Sequence, residues 1–161
     1  MLKRFFRKIN PFVREIKYVS LGSTFERHGN CIDIKFGSNI YIETKKPQVI
    51  YVPLGFKAQL PKHYRGVLTF RSSTPARYNI DMPASHGEIE WDYSDEWKGI
   101  IKAFPSSSPV IPKDSRLFQF YIEPVWDAPW YVKLLDIFSV FRFEKVEELS
   151  TSRSGLGHTG I

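Results

Sequence analysis

From Cys31 onward the chain alternates apolar and polar residues in short runs. CIDIKF and NIYIETK each place every second side chain on an apolar face, the period of a half-buried strand. GVLTF, GIIKAF and RFEKVEEL read the same way, and RLFQFYIEPV is the strongest alternating run. QVIYVPLGFKAQL reads as two short strands broken at Pro53-Leu54-Gly55. PKHYRG is a turn, and PSSSPVIPKDS is a turn-rich connection. RSSTPARYNI holds too many small and polar residues for a buried strand, and GEIEWDYSDEWKG is loop-rich or hairpin-like. One segment breaks the pattern. In DAPWYVKLLDIFSVF, the apolar residues Trp130, Val132, Leu134, Leu135, Ile137 and Phe138 fit a short helix about as well as a strand. Asp127 is placed to cap such a helix, with Pro129 in its first turn. The pattern predicts an all-β domain of short antiparallel strands, a barrel or jelly roll.

Composition agrees with that reading. A length of 161 residues suits one domain, and 42% hydrophobic with 25% charged residues excludes a disordered chain. Aromatics at 16% and 21 Pro plus Gly favour many short strands joined by turns. No apolar run approaches the roughly 20 residues that span a bilayer. The basic start MLKRFFRKINPF has no apolar stretch of signal-peptide length behind it. The expected location is cytoplasmic (host cytoplasm if phage-encoded), with no membrane among the partners. Cys31 stands alone, which excludes an intrachain disulfide and a cysteine-based zinc site; its expected role is a small buried apolar residue. The net charge of +6 is uneven. Lys3, Arg4, Arg7, Lys8, Arg14 and Lys17 stand against Glu15, so most of the excess lies in residues 1–20. This reads as a solvated basic arm, with LKRFFRKI fitting a short amphipathic helix; a patch for nucleic acid or an acidic partner is the alternative.

Three clusters carry candidate chemistry. Arg71-Ser72-Ser73 ends the strand GVLTF, and a cation, two hydroxyls and their amides together hold phosphate oxygens. GEIEWDYSDEWKG gathers Glu88, Glu90, Asp92, Asp95 and Glu96 around Tyr93, a set suited to a divalent cation or to activating water, or simply to solvation. Its aromatics Trp91, Tyr93 and Trp97 call for something to pack on. The C-terminal RSGLGHTG combines glycines, which let a backbone wrap a ligand, with Arg153 for phosphate; it is not a Walker loop, since the lysine is missing. His28, His63, His86 and His158 show no metal-site spacing.

The order of the motifs is more specific than any one of them. Asp33 in NCIDIKF, then VPLGFKAQLPKHYRG, FRSST, GEIEWDY, DSRLFQF and finally SRSGLGHTG resembles the five ordered motifs of the homotrimeric dUTP pyrophosphatases, the dUTPases. The resemblance runs from about Gly29 to Ile161 and is closest to forms from Gram-positive bacteria and their phages. Glu90 and Tyr93 follow Arg71 by 19 and 22 residues, in register with that family. The resemblance implies a distorted jelly-roll domain within residues 1–150 and residues 151–161 as a flexible lid; charge sets residues 1–20 apart as a basic arm, and apolar spacing marks residues 126–141 as a short helical insertion. The resemblance also implies a homotrimer with three shared sites that hydrolyses dUTP to dUMP and pyrophosphate, with Mg²⁺ held by the triphosphate and by no protein ligand directly. Glu90 would deprotonate water for attack on the α-phosphorus, with Arg71 holding that carboxylate ionised. Ser72 and Ser73 would bind phosphate oxygens, Ser72 at the leaving group. Tyr93 would pack under the deoxyribose, and the hairpin through Ser85, Gly87 and Ile89 would read uracil. Gln119 would reach phosphate. Arg153, Gly155, Leu156, Gly157, His158 and Thr159 would close over the nucleotide. Asp33 and Arg116 would form a supporting ion pair.

The chain departs from the family pattern at four places. Glu90 stands where aspartate is usual, and its extra methylene moves the carboxylate by about 1.5 Å; a shift of about 1 Å costs about 100-fold in rate. Asp92 shares the strand face of Glu90 and is the alternative base. Ala84 replaces a usual asparagine, leaving Ser85 for that contact. Leu156 cannot stack on uracil as phenylalanine would, and His158 stands in place of serine. Competing readings are a regulatory, non-catalytic nucleotide binder on the same fold and a dCTP deaminase relative. The deaminase requires a carboxylate that GIIKAF lacks. A nucleic-acid-binding barrel would leave the five motifs unexplained, so nucleic acid is not an expected partner.

Overall fold

Val52, Leu54, Phe56 and Ala58 are buried while the residues between them are not. This alternation extends over the whole domain. The computed structural model describes residues 12–150. The amphipathic pattern at residues 2–9 and the glycine-rich tail at residues 151–161 lie outside the described residues. Among those described, the strands are β1 (Val13–Ser20), β2 (Thr24–His28), β3 (Cys31–Lys35), β4 (Ile40–Tyr41), β5 (Gln48–Gln59) and β6 (Tyr64–Phe70). Helix α1 (Thr74–Tyr78) follows, then β7 (Ile80–Asp81), β8 (Gly87–Glu90), β9 (Glu96–Ala103), β10 (Val110–Ile111) and β11 (Phe118–Pro124). Helix α2 (Trp130–Asp136) and β12 (Val140–Lys145) complete the order.

Two five-stranded sheets, ordered β12-β1-β5-β9-β7 and β2-β3-β11-β6-β8, face each other, with β10-β4 as a small third pair. All pairings are antiparallel except β1 with β12. The sheets meet through Phe56, Trp97 and Phe120, whose ring centroids lie 5.0 to 6.1 Å apart and which are at most 1% exposed. The architecture is the expected all-β jelly roll.

The break expected at Pro53-Leu54-Gly55 is a bulge instead. Between the pairs Pro53↔Lys98 and Lys57↔Glu96, β5 spends two more residues than β9. Two extra residues preserve the alternation, so one continuous strand keeps its apolar face inward. Gly55 adopts φ 75°, and its amide donates to Glu96 Oε1 at 3.0 Å. The polar segment after Arg71 forms α1 because Thr74 Oγ1 donates to Leu117 O at 2.8 Å and Tyr78 OH donates to Ser115 Oγ at 3.0 Å. The ambiguous segment is helical. Pro129 precedes its first turn at the cap position and no side chain caps it, so Asp127 does not play that part.

Val13–Ser20, within the span read as a basic arm, is an interior strand with Ile16 fully buried. Cys31 is half-buried rather than buried, since it pairs with His28 at the end of a hairpin.

Candidate active site

Strand pairing lines up a polar row across the second sheet. Glu26 of β2 lies opposite Asp33 of β3, Asp33 opposite Gln119 of β11, and Gln119 opposite Thr69 of β6. Paired residues project from the same face. Asp33 is fully buried, and a buried carboxylate needs cations close by. Arg71 supplies the nearest, with Nε 2.9 Å from Oδ2, and Arg116 Nη1 stands 3.7 Å from the same oxygen. The contact is between charges: neither Asp33 oxygen meets an aligned hydrogen-bond donor among the described residues. The Arg71 backbone is fixed by its amide, which donates to Leu117 O at 2.9 Å, and by its carbonyl, which accepts from Thr74 N. Ser72 and Ser73, next along the chain, are exposed.

Arg116 is held from its other side by two residues that sequence reasoning did not single out. Its Nη1 lies 2.8 Å from Glu26 Oε2 and 2.9 Å from His28 Nε2. Because Arg116 only donates, His28 Nε2 accepts in this arrangement. The Arg116 guanidinium holds the Glu26 carboxyl below its ordinary range. A signal for both was present: Gly29-Asn30 is a two-residue hairpin turn, and counting back from it sets Glu26 opposite Asp33.

The second group stands at the far end of β6. Glu90, Ile89 and Gly87 of β8 lie opposite Arg65, Gly66 and Leu68. A tight turn follows, in which Tyr93 N donates to Glu90 O at 3.1 Å. Trp91 and Tyr93 pack against the core, which meets the expectation that these aromatics cover something. Burial, reinforced by the Asp95 and Glu96 carboxylates, pushes the Tyr93 phenol up. Glu90 and Asp92 both line a 370 Å³ cavity with Arg65, Glu88, Trp91 and Trp126. Arg65 is engaged by Glu123 and Glu88, each at 2.7 Å. His86 Nδ1 pairs with Ser85 Oγ at 2.9 Å and its Nε2 stands 3.3 Å from Glu88 Oε1, so Ser85 joins the same network. A larger cavity of 580 Å³, between β2 and β12, contains none of the residues read as catalytic.

The structure therefore brings Asp33, Arg71, Arg116 and Gln119 together, and separately gathers Glu90, Asp92 and Tyr93. It does not bring the two groups together. Arg71 follows Arg65, the partner of Glu90, by six residues along an extended strand, a separation of about 20 Å. Arg71 faces Asp33 and not Glu90 within the chain. Arg153, Gly155, Leu156, Gly157, His158 and Thr159 lie outside the described residues.

No family model matches the chain. It is 30% identical over 109 residues to the deoxyuridine 5'-triphosphate nucleotidohydrolase of Chlamydia pneumoniae, covering 68% of this chain and 69% of that one. It is 29% identical over 140 residues to the enzyme of that name from Fusobacterium nucleatum, covering 84% and 87%. A mutant dUTPase of phage phi11 of Staphylococcus aureus, solved with a structural Mg(II) ion, superposes with a TM-score of 0.57 at 18% identity, over 71% of this chain and 93% of that one. Fold and sequence together define a nucleotide hydrolase of the jelly-roll type. Within that class, the chain belongs to the dUTPase family.

Proposed function

We propose that the protein hydrolyses dUTP to dUMP and pyrophosphate at sites built between copies of the chain in a homotrimer. One observation carries this reading: the phosphate-binding candidates and the candidate base sit about 20 Å apart at opposite ends of β6. A general base must come within hydrogen-bond reach of the water it activates. One chain cannot supply both groups to one nucleotide, and a neighbouring copy supplies the missing half.

In that site Glu90 takes a proton from water as its oxygen attacks the α-phosphorus, and the bond to the bridging oxygen breaks to release pyrophosphate. Ser72 and Ser73 donate to the phosphate oxygens, and Gln119 reaches them from the row behind. Arg71 and Arg116 place positive charge near the triphosphate while neutralising Asp33. Tyr93 lies under the sugar, with Ser85, Gly87 and Ile89 toward the base. Mg²⁺ enters as part of the substrate. The triphosphate offers the hard oxygens that this ion prefers.

Pyrophosphate release from Mg-dUTP by the full chain tests the reading. Glu90→Gln is expected to lower kcat by about 1000-fold, and Asp92→Asn by less than about tenfold; the reverse pattern assigns the base to Asp92. Bound dUTP without turnover identifies a regulatory binder, and ammonia release from dCTP identifies a deaminase.

A further inference from the structure

Glu88 and Glu90 lie two residues apart on β8 and so share a face, opposite to the one from which Ile89 packs against the core. On that outer face a row of charges crosses three strands. Arg65 of β6 lies opposite Glu123 of β11 on one side and Glu90 of β8 on the other. Its Nε and Nη2 donate to Glu123 Oε1 at 3.0 and 2.7 Å, and its Nη1 donates to Glu88 Oε1 at 2.7 Å. Arg65 is thus tied to both neighbouring strands and fixes the Glu88 carboxylate in place.

The row continues into the hairpin. Glu88 Oε1 also meets His86 Nε2 at 3.3 Å, and His86 Nδ1 meets Ser85 Oγ at 2.9 Å. The chemistry of each group sets the direction of these bonds. A carboxylate only accepts, so Nε2 carries the imidazole hydrogen. In the neutral ring Nδ1 is then the acceptor, and the Ser85 hydroxyl donates to it. With its hydrogen committed, Ser85 Oγ has only lone pairs to offer a ligand. Ser85 is exposed, which leaves that oxygen open to one.

We infer that His86 is a positioning residue for base selection: held by Glu88 and Arg65, it locks the Ser85 hydroxyl as an acceptor for the N3–H of uracil. The inference rests on the reading that this hairpin faces the base, and it deepens that reading. Uracil carries a hydrogen on N3, whereas cytosine has a lone pair there. A hydroxyl free to rotate serves both bases, accepting from one and donating to the other. A locked acceptor pairs with uracil and sets lone pair against lone pair in cytosine. Serine alone carries no such preference; its neighbours along the row supply it. Thymine keeps the N3–H, so this device does not separate it from uracil.

Calorimetric binding of dUMP and dCMP to the full chain at about pH 8, where free imidazole is neutral, tests it. The original is expected to bind dUMP more tightly, and His86→Phe to narrow that preference by about tenfold. His86→Gln is expected to keep the preference, because its amide both donates to Glu88 and accepts from Ser85. The margin between dUMP and dTMP is expected to stay unchanged in both variants. In a Ser85→Ala background His86→Phe is expected to have no further effect, whereas a purely structural role for His86 would still show. The inference is overturned if the original does not prefer dUMP to dCMP, or if His86→Phe keeps the full preference. It is also overturned if His86→Gln loses as much as His86→Phe, if the dTMP margin moves by the same factor, or if the Ser85 and His86 effects add. Pyrophosphate release from dUTP separates the two readings. A preference that depends on His86 without turnover keeps this inference and removes the hydrolase reading, and turnover with a preference indifferent to His86 does the reverse.

Discussion

Asp33 is fully buried and its Oδ2 lies 2.9 Å from Arg71 Nε. The pair has a structural and a chemical side, and substitution separates them. Arg71→Ala leaves a buried carboxylate with Arg116 as its remaining cation at 3.7 Å. The expected loss is about 3 kcal/mol, at the low end for breaking a buried pair because Arg116 stays. Adding Asp33→Asn removes the stranded charge, so the double variant regains much of that stability. Urea unfolding at fixed protein concentration reads both effects. Turnover stays lost in the double variant if Arg71 also serves the phosphates.

The distance between Arg71 and Glu90 makes a sharper demand. If sites are shared, Arg71→Ala and Glu90→Gln damage different halves of each site. Each variant alone is inactive. After unfolding and refolding together, mixed assemblies contain some sites with both halves intact, and dUTP hydrolysis returns to a fraction of the original. Equal mixing without any recovery would place both residues in the same half and contradict the shared site.

Tyr93 predicts an alkaline limit to stability. Its phenol is raised above the ordinary value of 10.0, chiefly by burial and then by Asp95 and Glu96. A raised value means that the folded state favours the protonated form. Its contribution is complete below pH 10 and is lost as pH rises through the folded value. Unfolding midpoints are therefore expected to fall above about pH 10, and Tyr93→Phe is expected to flatten that fall. An unchanged alkaline slope in Tyr93→Phe would assign the titration to another group.

Strand alternation made the jelly roll legible, because burial on one face imposes a period of two. The bulge at Gly55 was not legible: a proline and a glycine look the same in sequence whether they end a strand or kink it, and only the pairing with β9 distinguishes the two. The site divided in a similar way. Residues whose chemistry is carried by their type and order, such as Arg71, Glu90 and Tyr93, stood out in the sequence. Glu26 and His28 did not, since their role arises from lying beside Arg116, which is 88 residues from His28. The sequence marked the segment of α2 as an apolar stripe that could serve a partner, but its spacing does not say whether the stripe faces in or out.

The tail is the part of the proposed site most open to a direct test. Ser150, the last described residue, donates from Oγ to Gln59 Oε1 at 3.0 Å, and the next residue on β5's side, Leu60, donates its amide to Trp91 O at 3.2 Å. The tail thus departs beside the turn that carries Glu90 and Asp92. Eleven residues span at most about 40 Å when fully extended, twice the roughly 20 Å between the Glu90 and Arg71 ends of β6. Deleting residues 151–161 removes Arg153 and the glycine-rich stretch and leaves every described residue of the core in place. The unfolding midpoint and the solution mass are expected to stay unchanged, while kcat/KM for dUTP falls by about 100-fold or more through loss of charge-assisted phosphate contacts and of water exclusion. Arg153→Ala alone is expected to reproduce part of that fall. Full activity in the truncated chain would remove the tail from the reaction and leave Ser72, Ser73 and Gln119 as the phosphate contacts.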